Sequence, residues 1–473
     1  MPNSSEDFTN QEEVKKIMAM LETKFGKDGS RLKVSDVVDE KGFQYVNLVQ
    51  EGGGMLGIAL VGFTWVLEKM GIRFWRLAGT SAGAINTIFL AAIGSKSDAK
   101  SEQVLNYLSN TNFLKFADGH PVVSKVITRL TSNKSYLSNT IFFIVGLAGV
   151  LALSMFFNAV HHSRYLMWFI LSLLFIMGLI AGYFAYLWNR FKKRKLGLCR
   201  GNFFKNWLEE KLAEHGVKTV TDLKKKAYIK APENKLKFAT GMLELRTGDD
   251  ADIDSMQSDI TMIACDITTQ MKVEFPRMAM LYGRADDTTN PAEFVRASMS
   301  IPIFFESQCF DGINNKDPAV IKAWKDISYN EKDIPDKAFF VDGGIISNFP
   351  ISVFHKPNIR TPRLPVFGAR LADGDDDTGK DVFAGIGSYA GAVFSTIRFN
   401  YDKEFLSKNN FYVKYVAAID VKGYNWLNFA MKPTEQKSLF LQGVKAAWKF
   451  LDTFDWEVYK KERENLYDTL KKS

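Results

Sequence analysis

The chain has 473 residues, 46% of them apolar and 24% charged, with a net charge of +8. The apolar fraction supports a sizeable core, while the dispersed positive charges come with no nucleic-acid motif and so exclude a nucleic-acid partner. Three cysteines (Cys199, Cys265, Cys309) show neither CxxC nor metal-ligand spacing, which excludes a disulfide framework and fits a reducing compartment.

Residues 1–44 are mostly polar, with no N-terminal apolar stretch, so no cleavable signal peptide is expected. Within this helical extension, Asn10 to Phe25 has the period of an amphipathic helix. Val14, Ile17, Met18, Leu21 and Phe25 share one face, and packing on the core is the expectation.

Two glycine signatures follow, each after an apolar run with strand character (Tyr45 to Val49, Phe74 to Ala78) and each opening a helical pattern. The first is Gly52-Gly53-Gly54-Met55-Leu56-Gly57, the second Gly79-Thr80-Ser81-Ala82-Gly83. A serine at a strand-to-helix turn presents its hydroxyl openly, and only small neighbours tolerate so sharp a bend. The triple glycine offers backbone N–H groups with no Cβ to obstruct a substrate carbonyl. A dinucleotide loop would want an acidic residue at the end of the second strand, which ends instead in Ala78-Gly79-Thr80-Ser81. Paired, the signatures point to acyl transfer through Ser81.

Thr140 to Val160 and Tyr165 to Trp188 then run for 21 and 24 residues without a charge. Each is long enough to cross about 30 Å of hydrocarbon at about 1.5 Å per residue. Only His161-His162-Ser163-Arg164 separates them, so residues 140–188 are predicted to form a two-span transmembrane hairpin. Lys125, Arg129 and Lys134 precede it and Arg190 to Lys195 is basic, which puts both ends, and the catalytic domain, on the cytoplasmic side.

Beyond the hairpin, none of the five histidines (His120, His161, His162, His215, His355) stands in a catalytic context. The better partner for Ser81 is Asp342 in Phe339-Phe340-Val341-Asp342-Gly343-Gly344, where an apolar strand would deliver a carboxylate to the carboxyl edge of a sheet. Residues 246–259 and 311–337 have the composition of surface loops. Asp249 to Asp254 lacks the glycine and terminal glutamate of a calcium loop. Pro433 to Leu451 is helical, with Phe440, Leu441, Val444, Trp448 and Leu451 as its apolar face, and residues 452–473 form a charged helical tail.

These segments, in this order, resemble the patatin-like phospholipase family. The likeness rests on Val49-Gln50-Glu51 with the triple glycine, Gly79 to Gly83, Gly197 to Gly201 leading into Phe204 to Leu212, and Ile263 to Thr269. Arg296 to Pro302, Val341 to Pro350 and Gly423 to Trp426 complete it. It covers residues 45–451, interrupted by the hairpin. It implies an α/β fold, a three-layer core with a mostly parallel central sheet flanked by helices. It also implies a Ser–Asp dyad of Ser81 as nucleophile and Asp342 as base, with Gly52, Gly53, Gly54 and Gly57 as oxyanion loop. Gly79 and Gly83 would shape the nucleophile elbow, and Gly343 and Gly344 the aspartate motif. Such a dyad requires no metal and no cofactor. The expected activity is hydrolysis of membrane phospholipid or lysophospholipid esters. An acyltransferase or neutral-lipid hydrolase on the same fold, or a non-catalytic lipid-binding scaffold, are the alternatives. The family usually places Arg or Lys where this chain has Leu56.

Overall fold

The computed structural model describes residues 4–116, 118, 136–193, 196–241, 244–245, 250–327, 334–372, 392, 396 and 400–471. His120, Lys125, Arg129, Lys134, Arg194, Lys195 and Asp249 lie outside the described residues.

One sheet organises the chain. Its strands are β1 (Val37–Val38), β2 (Gln44–Gln50), β3 (Ile72–Thr80), β4 (Lys237–Phe238), β5 (Asp259–Asp266), β6 (Met271–Phe275), β7 (Gln308–Asp311), β8 (Lys337–Asp342), β9 (Val366–Ala372) and β10 (Val416–Asp420). The order across it is β10-β9-β2-β3-β5-β8-β7. The first five of these are mutually parallel, whereas β8 and the side strand β6 run antiparallel to β5, and β7 antiparallel to β8. The expected mostly parallel sheet is thus a mixed one, parallel at its centre. A tight turn joins β5 to β6, which antiparallel pairing allows.

The central strands are buried on both faces, as their unbroken apolar runs dictate. Successive residues point to opposite sides. Leu48 and Leu77 enter the main core, together with the helices Gly57–Lys69 and Pro433–Thr453. Val49 and Ala78 enter a second core built from Phe349, Phe411, Tyr415, Trp456 and Tyr459. The layers are therefore helices, sheet, and a cover supplied largely by the helix Trp456–Leu470.

That helix was expected as a charged tail. Two of its charges are buried, Lys460 and Arg463 at 1% and 3% exposed, while Glu457 and Lys461 face solvent. Lys460 and Arg363 both pair with the fully buried Asp36 at 3.2 and 3.1 Å, and Trp456 Nε1 donates to the same carboxylate at 2.7 Å. The predicted surface loop at 311–337 also holds a docked helix, Pro318–Asp326. Asp317 caps it, and Val320 and Trp324, one turn apart, are buried. The N-terminal helix Glu12–Phe25 packs as expected, with Val14, Ile17 and Leu21 in the main core.

Helices Tyr136–His161 and Arg164–Lys193 meet at a turn where His162 takes φ 45°. Hydropathy predicts two spans. Among the described residues one helix, Arg164–Lys193, is long and apolar enough to cross a membrane, and the apolar stretch Val145–His161 is shorter. Large side chains on both helices face outward, including Phe143, Phe156, Trp168 and Phe175.

The helices Gly57–Lys69 and Pro433–Thr453 cross with backbone contact. A Cβ on Gly443 would lie 1.9 Å from the Ala59 carbonyl oxygen, and one on Gly62 2.2 Å from that of Phe440. Gly443→Val is expected to force them apart and cost about 1–3 kcal/mol in chemical denaturation. An unchanged midpoint would show that the crossing is not close-packed.

Candidate active site

Strand β3 carries Ser81 at its carboxyl end, and the helix Ala82–Ala92 starts on the next residue. Between them Ser81 adopts φ 52°, ψ −116°, a region that L side chains avoid. The bend is tight because backbones touch. A Cβ on Gly79 would meet the Gly83 carbonyl at 2.4 Å, and one on Gly83 would meet that of Gln50 at 2.4 Å. The Ser81 N–H donates to Ser298 Oγ at 2.9 Å, and the Thr80 hydroxyl donates to the Ser347 carbonyl at 2.9 Å.

The glycine loop leaves the end of β2, beside Ser81. Its four glycines divide by what their N–H groups do. Gly52 donates to the Asn348 carbonyl at 3.0 Å, and Gly57 donates to the Gly54 carbonyl. The Gly53 and Gly54 N–H groups make no hydrogen bond among the described residues. Gly54 takes φ 53° and passes so close to the Trp426 carbonyl that a Cβ would be 2.4 Å away, so only glycine fits.

Asp342 reaches this edge by a route the sequence did not suggest. Strand β8 is antiparallel to β5, with Asp342 opposite Ala264, while Ile263 stands opposite Thr80. The strand therefore descends onto the carboxyl edge instead of emerging from it. Asp342 donates its N–H to the Ser300 carbonyl at 2.9 Å, and its Oδ1 accepts from the Gly344 N–H at 2.7 Å. A Cβ on Gly343 would strike the Ile263 carbonyl at 2.2 Å, which seats the motif against β5. Burial and the Asp266 and Asp342 carboxylates push the neighbouring Cys265 thiol up to about 11.

Ser81 and Asp342, 4% and 8% exposed, line one cleft together with Gly52, Gly53, Gly54 and Asn348. Ser81 and Gly54 also line a second, adjoining cavity whose other walls include Ile58, Leu108, Phe113, Phe116 and Phe429. The serine hydroxyl thus stands where the cleft that holds Asp342 and Asn348 meets an adjoining apolar cavity. The described histidines line neither. Leu56, in the position of the family's basic residue, is buried in the main core.

Several residues that hold the site escape a reading of motifs. Ser298 and Ser300 belong to the segment 296–302 and link Ser81 to Asp342. Arg296, 2% exposed, anchors that segment through the Arg200 and Glu306 carbonyls, each at 2.7 Å. The Asn348 Nδ2 donates to Glu51 Oε1 and to the Gly52 carbonyl, both at 3.1 Å, and Glu51 Oε2 accepts from the Leu371 N–H at 2.6 Å. Asp402 accepts from Ser347 Oγ and the Phe349 N–H, both at 2.7 Å, bracketing Asn348. Arg296, Ser298 and Ser300 fall within the motif Arg296 to Pro302, Glu51 within that of the glycine loop and Asn348 within Val341 to Pro350, whereas Asp402 falls in none.

Fold and site together define an α/β protein with a strained serine elbow facing a glycine loop. The patatin-like phospholipase profile matches residues 48–355, and the chain belongs to that family, a family of lipid acyl hydrolases in general terms. It is 26% identical over 397 residues to the uncharacterized protein YqhO of Bacillus subtilis (strain 168), covering 84% of this chain and 94% of that protein. Among solved structures it is similar to VipD from Legionella pneumophila, with 14% identity and a TM-score of 0.35 over 89% of this chain and 71% of that one.

Burial raises the Asp402 carboxyl to about 6, against the hydrogen bonds it accepts. The folded state therefore holds this proton more tightly than the unfolded chain does, so stability falls as pH rises from about 4 to about 6. The effect is worth on the order of 3 kcal/mol. Asp402→Asn should flatten that part of the pH–stability curve relative to wild type. Parallel curves for the two proteins would contradict the burial argument.

Proposed function

We propose that the protein is a membrane-anchored serine acyl hydrolase that cleaves phospholipid or lysophospholipid esters through a Ser81–Asp342 dyad. One observation carries this reading. The hydroxyl at the strained elbow opens on one side to a cleft with Asp342 and free backbone donors, and on the other to an apolar cavity. An ester with one long acyl chain would set its carbonyl beside Ser81 and Asp342 and its chain in the apolar cavity.

Chemically, Asp342 takes the proton as Ser81 Oγ attacks the ester carbonyl. The Gly53 and Gly54 N–H groups stabilise the tetrahedral oxyanion, a contribution of the kind worth about 100- to 1000-fold per donor. Collapse expels the alcohol, which receives the proton from Asp342. Asp342 then deprotonates water for attack on the acyl-enzyme and passes that proton to Ser81 Oγ as the second tetrahedral intermediate collapses, and the fatty acid leaves. Gly52 and Gly57 shape the loop, because their own N–H groups are occupied.

The pair of apolar helices inserts as a two-span hairpin and holds the cleft at a bilayer, with the catalytic domain on the cytoplasmic side. Their outward-facing Phe and Trp side chains support this, since a soluble lid would bury them.

Fatty-acid release from mixed phospholipid vesicles is expected to fall by at least about 1000-fold in Ser81→Ala and nearly as far in Asp342→Asn. Full turnover in purified Ser81→Ala would end the nucleophile assignment. Deleting residues 140–188 should release the protein from membranes without unfolding the core. A deleted form that still sediments with salt-washed membranes would show that the hairpin is not the sole anchor.

A further inference from the structure

A further cavity lies against the middle of the strands that carry the site. It is lined by Asn47 of β2, Arg76 of β3, Lys356, and Tyr459 and Arg463 of the C-terminal helix. Asn47 stands five residues before Gly52, and Arg76 five before Ser81. Strand rise puts the cavity roughly 15 Å from the serine along both strands.

The strand pairing is broken at this point. Val46 pairs with Phe74 but Leu48 pairs with Leu77, so Trp75 and Arg76 both stand opposite Asn47. Such a bulge re-aims a side chain. Here it brings the Arg76 guanidinium to the cavity. Arg76, Lys356 and Phe354 also line the adjoining opening toward solvent.

Unspent donors converge on the cavity. Arg463 is 3% exposed, and one arm of its guanidinium donates to the Lys356 carbonyl, but its Nη1 has no partner. The Tyr459 hydroxyl accepts from the Val366 N–H at 3.0 Å, and its own proton has no acceptor among the described residues. Asn47, 4% exposed, leaves its Oδ1 unpaired, and a flip of the terminal amide turns that orphan into a further donor. Buried polar groups of this kind are seldom left unmade, so several in one cavity call for a ligand.

Charge narrows its chemistry. Three cations face the cavity against one lining carboxylate, Asp250, which pairs with Lys356 at 3.4 Å. Asp259, a second carboxylate at the adjoining opening beside the Tyr228 hydroxyl, is raised above the usual carboxylate range by burial. Burial and the nearby Arg76 hold the Lys356 ammonium below its usual range, as expected of crowded cations. Adjacent His355, lowered to about 4 by burial and by Arg463, is neutral and adds no charge.

We propose that this cavity is a second, non-catalytic binding site for a phosphate-type oxyanion, held by Arg76, Lys356 and Arg463 with Tyr459 and Asn47. Phosphate supplies acceptors alone to a site rich in donors, and it matches planar guanidinium donors. Its source is either free phosphate or the headgroup of a lipid.

The test is thermal unfolding of the full-length, detergent-solubilised protein, titrated with sodium phosphate at ionic strength matched by sodium chloride. A saturable rise in Tm is expected in wild type, with the half-saturating concentration raised at least tenfold in Arg76→Gln and in Lys356→Gln. Arg463→Gln removes a buried group and tests folding as well, so the partly exposed Arg76 carries the decision. The same titration with dihexanoyl phosphatidic acid, in Ser81→Ala to prevent hydrolysis, separates the sources: whichever ligand saturates at the lower concentration is the better match. No saturable shift with either, or an equal shift in Arg76→Gln, would overturn the proposal and leave the cavity to ordinary buried water.

Discussion

The backbone at Ser81 is the constraint around which the catalytic edge is organised. A non-glycine residue at φ 52° costs about 1–3 kcal/mol and persists only where its surroundings over-determine it. Those surroundings come from every quarter of the chain. Gly79 and Gly83 allow the bend, Ser298 takes the Ser81 N–H, and Thr80 is tied to Ser347. Asn348 then fastens the glycine loop, and Asp402 fastens the turns on either side of Asn348. The serine hydroxyl, the free N–H groups and the Asp342 carboxylate are consequently held by one connected set of hydrogen bonds and not by separate loops.

How legible a part was depends on how local its physics is. Glycines that permit a close approach announce themselves, because no other residue fits: Gly54 against Trp426, Gly83 against Gln50. Apolar runs announce the strands and, in Arg164–Lys193, one helix of membrane length. Asp342 was placed at the correct edge, but its direction of approach was not legible, since parallel and antiparallel pairing of β8 leave the same apolar pattern. The contacts of Ser298 and Asn348, which lie within motifs, and of Asp402, which lies in none, were not legible because their partners lie 53 to 297 residues away, and nothing in a polar residue says which distant group it will meet. The C-terminal helix divides its charges: Lys461 stays exposed, whereas Lys460 is drawn inside by Asp36 and Arg463 by the Lys356 carbonyl.

Strands β2 and β3 illustrate how one pair of strands serves two purposes. At the carboxyl end a turn of minimal residues exposes donors and a nucleophile. At the middle a bulge gathers cations around unpaired polar atoms. Both depend on the sheet being buried on its two faces, which makes any charge or donor left over at an edge energetically conspicuous. The apolar helix pair stands outside this logic. Among the described residues it lines none of these cavities, and its outward surface is apolar.

The most direct examination of the catalytic edge is covalent capture. A fluorophosphonate reacts with a serine only where the hydroxyl is activated and the developing oxyanion is held. We expect peptide mass spectrometry to find a single adduct on Ser81 in the wild-type protein, formed far more slowly in Asp342→Asn and absent in Ser81→Ala. An adduct on another serine, or equal labelling rates in wild type and Asp342→Asn, would contradict a dyad built on Ser81 and Asp342.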